Sequence, residues 1–166
     1  MIPPWAKDLK IGAKMINARA ETVAEKPSFR AAVKRRRCLV PASGFYEWVP
    51  TATGKRPHFI HFLDGRTFAF AGLWERWTAR GGASLDSFTI ITTTANEMIS
   101  DLHHRMPVIL PPEHYAEWLQ PESLTSGRLN QLLVPYPDGD LTAHPVSTLV
   151  NSPANDLPDC IVRNEC

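Results

Sequence analysis

Glu47 stands in a run of aromatic residues, Phe45-Tyr46-Glu47-Trp48. On an extended strand it shares a face with Phe45 and Val49, while Tyr46 and Trp48 point the other way. Apolar neighbours disfavour the anionic form of a carboxylate and raise its pKa, which is how a general acid or base is tuned. An edge-strand glutamate would simply face water. His103-His104-Arg105-Met106-Pro107 marks a helix-to-strand junction, and a histidine there can move protons near neutral pH. Asn17 and Arg19 are two residues apart, so in an extended segment both project to one side. An amide and a guanidinium so placed cradle a carbonyl or a phosphate. Lys34-Arg35-Arg36-Arg37 either contacts phosphates or is the solvated end of a helix, where cations suit the dipole.

The sequence contains no GxSxG and no Ser/His/Asp spacing. Cys38, between Arg37 and Leu39-Val40, reads as a core cysteine. The three cysteines, Cys38, Cys160 and Cys166, show no CxxC spacing. They suggest neither a disulfide framework nor a zinc site and fit a reducing cytoplasm. His103 and His104 are adjacent and do not share a helix face. His58 and His61 fall on opposite faces of a strand. No triad of ligands converges, so neither a metal nor a cofactor is expected. Eighteen basic and seventeen acidic residues leave a net charge of +1, too little to draw the whole chain to DNA or a membrane. No apolar stretch is long enough for a membrane helix.

The elements that must position these groups are short. The chain has 166 residues, a length suited to a single domain over 1–166. Its 15 prolines are spread along it, which favours short strands and turns over long helices. Residues 1–26 read as irregular, apart from a short apolar segment at 11–16. A helix is predicted over 27–35, with Pro27 at its first position. Strands are predicted over 38–41 and 45–49. The runs 57–62 and 67–74 flank Asp64-Gly65 and read as a hairpin. A strand follows at 87–94, and Asn96 can cap a short helix leading towards His103. A strand over 107–110, helices over 112–119 and 128–132, and a strand from His144 to Val150 complete the pattern. Mixed short elements without βαβ alternation indicate an α+β fold.

Five blocks together resemble the SOS response-associated peptidase family of abasic-site processing proteins. They are Asn17-Ala18-Arg19-Ala20-Glu21-Thr22, Arg37-Cys38-Leu39-Val40-Pro41-Ala42, Gly44-Phe45-Tyr46-Glu47-Trp48, His103 to Leu110, and Val150-Asn151-Ser152-Pro153. They come in the family's order and cover nearly the whole chain. The resemblance implies a mixed β-sheet or partly open barrel with short flanking helices and its first strands missing. It implies that the chain acts as a monomer in the bacterial cytoplasm, on the nucleoid when bound to DNA, with single-stranded DNA carrying abasic sites as its partner. In this family an N-terminal cysteine attacks the aldehyde of a ring-opened abasic site, forms a Schiff base, and closes it into a thiazolidine. By motif, Asn17 resembles the residue that orients this cysteine. Glu47 resembles the acid/base for Schiff-base formation and self-processing, and His103 the histidine that moves protons at the sugar oxygen. Arg19 and Arg105 resemble phosphate-binding arginines, and Trp48, Trp5 and Thr92 DNA-channel positions. His104 stands where the family usually carries an acidic residue, which removes a negative charge beside His103.

The family begins Met-Cys-Gly-Arg-Phe and reaches an Ile-Pro-Pro-Trp segment only later, whereas the numbering here opens on Met1-Ile2-Pro3-Pro4-Trp5. The expectation is a shortened N-terminus that omits the nucleophile, since an internal cysteine such as Cys38 has no free α-amine. Either the intact protein forms the crosslink, or this chain is a silent remnant that only binds single-stranded DNA. A polypeptide of these 166 residues is therefore expected to give no adduct with abasic DNA that survives boiling in detergent. A heat-stable band on a denaturing gel would overturn this. Poor solubility is also expected, since unpaired strand edges invite aggregation; cooperative unfolding of a stable monomer would contradict it.

Overall fold

The computed structural model describes residues 1–79 and 81–164. The strands in chain order are β1 (Asn17–Arg19), β2 (Arg37–Ala42), β3 (Phe45–Thr51), β4 (Gly54–Phe62), β5 (Phe68–Thr78), β6 (Ser84–Thr94), β7 (Arg105–Pro107), β8 (Ile109–Leu110) and β9 (Leu141–Pro145). Four short α-helices accompany them: α1 (Ala32–Arg35), α2 (Glu97–Ser100), α3 (Tyr115–Leu119) and α4 (Ser126–Leu132). Short helices beside two sheets make an α+β fold. No described helix is long and apolar enough to cross a membrane.

The described chain divides into two compact units. The first holds residues 1–41, 68–94 and 106–136. Its sheet runs β1-β6-β5-β2, with β7 joining β6 and β8 joining β5. β5 and β6 are antiparallel, pairing Leu73 with Thr89 and Trp74 with Phe88. Strand alternation does the rest. Ala71, Leu73 and Ile91 turn inwards to pack with Val33, Val108, Leu110 and the fully buried Trp118. Trp74 and Phe88 turn outwards, 37% and 53% exposed, and line a groove of about 520 Å³ with Cys38 and Val40.

The second unit holds 42–67, 95–105 and 137–164 of the described residues. Its sheet is β3-β4-β9. β3 and β4 form the hairpin, with Thr51 opposite Gly54 and Glu47 opposite His58. β4 then pairs with β9, Phe59 opposite His144. Gly44 enters β3 where no side chain fits: a Cβ there would lie 2.2 Å from the Phe59 ring.

Several expectations need correction. Asp64-Gly65 does form a turn, with Gly65 at φ +70° and Arg66 bonded to Asp64. The strands it joins are not a hairpin. β4 pairs with β3 and β9, and β5 with β6, β8 and β2. The Leu63 amide donates to the Asp140 carbonyl, so the β9 side already holds the edge that a β5 hairpin would need. The helix expected over 27–35 shrinks to α1, because residues 27–31 wind through turns in which Phe29 and Arg30 both donate to the Lys26 carbonyl. One turn of helix has no cooperative ladder to extend it. The stretch 1–26 is more ordered than expected: Asp8 caps a 3-10 helix over Leu9–Lys14. The strand expected from His144 onward lies earlier, at Leu141–Pro145. Ser147 then caps a 3-10 turn over Thr148–Asn151. Asn96 caps α2 as expected, accepting from the Ile99 amide at 3.0 Å. Cys166 lies outside the described residues.

The basic block is split by function. Lys34 and Arg35 are exposed, Arg36 pairs with the buried Glu75 at 2.6 Å, and Arg37 is only 6% exposed. The Arg37 guanidinium donates to the carbonyls of Val33 and Lys34 at the end of α1. It also donates to those of Trp118, Gln120 and Glu122 at and beyond the end of α3. Helix C-termini leave such carbonyls without internal donors, and one planar five-donor side chain serves both ends. Burial lowers the Arg37 pKa, partly offset by the Glu122 carboxylate. Replacing Arg37 with Met strands five carbonyls, and we expect a loss on the order of 3 kcal/mol, or roughly 6–12 °C in Tm. Thermal unfolding followed by circular dichroism checks it, and an unchanged Tm would show that water replaces the guanidinium.

Candidate active site

β3 sorts its side chains by parity. Tyr46 and Trp48 share one face, their rings 6.2 Å apart, and Tyr46 packs on Phe59. The segment after β9 lies over this face. The Trp48 indole N–H donates to Asn151 Oδ1 at 2.8 Å, and the Tyr46 hydroxyl donates to the Cys160 carbonyl at 3.3 Å. Asn151, part of the last sequence block, thus holds the Trp48 ring, which is 36% exposed. Glu47 points to the other face.

His103 meets Glu47 there. It follows α2, and its amide donates to the Ile99 carbonyl, so the Asn96 cap and this turn set its backbone. His103 Nδ1 lies 3.7 Å from Glu47 Oε1; the side chains are 40% and 22% exposed. The same nitrogen lies 3.0 Å from the Arg105 carbonyl and 3.2 Å from the Arg105 amide. These two neighbours serve opposite protonation states. When Nδ1 carries a proton it donates to the carbonyl or towards Glu47. When it does not, its lone pair accepts from the amide, and the proton sits on Nε2. The backbone of Arg105 therefore supports the ring in both states, which suits a group that gains and loses a proton. Burial raises the Glu47 pKa, and the His103 charge opposes this in part. The exposed His104 ring lies against His103, centroids 4.4 Å apart.

Asn17 and Arg19 belong to the first unit. β1 runs parallel to β6, pairing Asn17 with Ile90 and Arg19 with Thr92. Ala18 between them is buried at 1% exposure, so Asn17 and Arg19 project together outwards, as the two-residue spacing predicts. Thr92 Oγ1 donates to the Ala18 carbonyl at 3.5 Å. Trp5 is 55% exposed beside a turn closed by the Ala6 amide on the Pro3 carbonyl. Burial pushes the Cys38 thiol up to about 11, so it is no ready nucleophile.

The model for the SOS response associated peptidase (SRAP) family matches residues 1–153. The chain belongs to this family. Among its relatives, the abasic site processing protein YoqW of Bacillus subtilis is 51% identical over 162 residues, 97% of this chain and 72% of that protein. The abasic site processing protein HMCES of Gallus gallus is 35% identical, covering 99% of this chain and 56% of that one. A solved structure of a protein from Bacteroides thetaiotaomicron superposes with a TM-score of 0.88 at 33% identity, over 99% of this chain and 74% of that one.

In this SRAP chain, tertiary structure brings Glu47 and His103 together in one unit and Asn17, Arg19 and Thr92 together in the other. It also gives His58, which the sequence offers only as a poor metal ligand, a place beside Glu47. His58 is directly opposite Glu47 across the β3–β4 hairpin, so both side chains rise from one face. Counting outwards from the Thr51–Gly54 turn would have found it.

The Glu47 shift has a consequence for stability. A carboxyl whose folded pKa is raised contributes its full share of stability at low pH and loses it as pH rises through the folded value. Glu47→Gln removes that cost. We expect the variant to melt roughly 1–3 °C higher than the parent at pH 8, with the gap closing as pH falls and Glu47 takes up its proton. Melting curves across pH test this; a variant less stable at pH 8 would overturn it.

Proposed function

We propose that this SRAP chain binds single-stranded DNA at abasic sites, with Glu47 and His103 moving protons at the opened sugar. The observation that carries this reading is the convergence of a carboxyl and an imidazole 3.7 Å apart, from segments far apart in sequence, at the two positions matching the family's acid/base motifs. The names of the relatives, abasic site processing proteins, support the substrate class.

The chemistry asks for such a pair. When an amine adds to the C1′ aldehyde of an abasic sugar, nitrogen loses a proton and the departing hydroxyl needs one before water can leave. A carboxyl whose pKa is raised by burial holds its proton to higher pH and can donate it, and a neighbouring imidazole can accept or relay. In the family the amine and thiol come from an N-terminal cysteine. Asn17, Glu47 and His103 are the residues of this chain assigned to that step.

Arg19 and Arg105 are assigned to phosphates, and Thr92, the partner of Arg19 in the sheet, to the same path. Trp5 offers an exposed ring for an unpaired base. Stacking of this kind is worth about 1–3 kcal/mol. Trp48 lies on the face of β3 opposite Glu47, so its part is to contact a strand segment away from the reacting sugar.

Fluorescence anisotropy with a labelled single-stranded oligonucleotide carrying an abasic site tests the reading. Binding should weaken steeply between about 50 and 200 mM salt. Exchanging Arg19 and Arg105 together for Ala should weaken it about tenfold or more and lower the salt slope by about 1.4. Glu47→Gln should leave this reversible binding within about twofold, since it acts on the reaction and not on phosphates. Binding that ignores both arginines would overturn the assignment.

A further inference from the structure

His61 and His144 face each other across β4 and β9, on the Tyr46 side of the sheet. His61 Nε2 stands 3.3 Å from His144 Nδ1. Each ring spends its other nitrogen on a backbone carbonyl. His61 Nδ1 lies 2.8 Å from the Phe62 carbonyl, and His144 Nε2 lies 2.9 Å from the Ile161 carbonyl. A carbonyl only accepts, so each of these nitrogens must carry the hydrogen. In the two neutral rings, Nε2 of His61 and Nδ1 of His144 are then both lone pairs, aimed at one another. Such an arrangement needs a cation between them, either a proton shared by the rings or a metal ion.

The spacing favours a metal ion. Two imidazole nitrogens held about 2.0–2.1 Å from a tetrahedral ion stand about 3.3–3.4 Å apart, and their ring centroids about 5.2 Å apart. The centroids here are 5.2 Å apart, with the rings at 73°. A linear N–H···N bond at the observed nitrogen spacing would instead set the centroids about 5.6 Å apart. The outer contacts agree as well: a metal-bound histidine ordinarily gives its second N–H to a carbonyl or carboxylate. Both rings are also braced. Phe59 stacks on His61, centroids 5.3 Å apart at 22°, and meets His144 edge-on at 5.9 Å.

We propose that His61 and His144 form a two-histidine site for a divalent transition-metal ion of the imidazole-preferring class, such as Zn²⁺ or Cu²⁺, with water completing the coordination. The site lies on the face of the sheet opposite Glu47 and is independent of the proposed DNA chemistry. Because His144 is tied to the Ile161 carbonyl, a bound ion fastens the segment after β9 onto the sheet. Sequence spacing hides it, since the two ligands are 83 residues apart.

Titration calorimetry of the full chain with Zn²⁺ at pH 7.5 tests the site. One ion per chain is expected, with Cu²⁺ binding more tightly, and the affinity should fall as pH is lowered, since protons compete for the same lone pairs. Each of His61→Gln and His144→Gln should weaken binding at least tenfold, while His114→Ala, on another element, should not change it. Zn²⁺ should also raise the Tm of the parent and not of the two Gln variants. If a Gln variant fails to fold, ring resonances of the unaltered chain decide: Zn²⁺ must shift those of His61 and His144. No saturable binding up to about 1 mM Zn²⁺, or shifts confined to His103 and His104, would overturn the proposal and leave a shared proton between the rings.

Discussion

Arg37 is the point on which the first unit turns. A guanidinium offers five N–H groups in one plane, and here they meet the carbonyls at two helix ends. A cation this deep is costly unless every donor is used, so its presence forces α1 and the end of α3 to sit where their carbonyls converge. The Trp118 indole, under the same guanidinium at 5.6 Å, returns a hydrogen bond to the Cys38 carbonyl on β2. Helix ends, edge strand and largest core side chain are thereby held by one charge. Its flanking residues could not do this: Lys34 and Arg35 remain in water, and Arg36 is taken by Glu75.

A different constraint governs the second unit. A strand has two faces, and β3 uses both. On one, Tyr46 and Trp48 pack under the segment that follows β9, with Asn151 and the Cys160 carbonyl as polar partners. On the other, Glu47 is kept partly from water beside His103 and opposite His58. The aromatic face anchors the strand, and the anchored strand fixes the carboxyl. The Glu47 carboxyl is thus placed by packing on the opposite face of its strand, which is what keeping a half-buried carboxyl in one orientation demands.

The same economy explains His103. Its Nδ1 has an acceptor and a donor from one residue, Arg105, within hydrogen-bond reach. The ring need not move to change protonation state, and backbone atoms on a strand do not reorganise when it does. Both of these backbone contacts are made by Nδ1.

What the sequence by itself determined is local. The two-residue period put Glu47 opposite in sense to Tyr46 and Trp48, and put Asn17 and Arg19 on one side of β1. Side-chain chemistry made Asn96 a helix cap, and five ordered blocks identified the family. These survive because each depends on neighbours a few residues away. What only the tertiary structure decided is partnership. The Asp64-Gly65 turn has the residues of a hairpin, yet its two strands enter different sheets, because β9 competes for the edge of β4 and outranks the nearer strand. Nothing in a basic tetrapeptide says that Arg37 is buried and Lys34 is not. The pairings of Glu47 with His103, and of His61 with His144, arise from strands and loops distant along the chain. The physical reason is that dihedral preference and side-chain parity act along the backbone, whereas strand partners are chosen by competition among all edges in the folded chain.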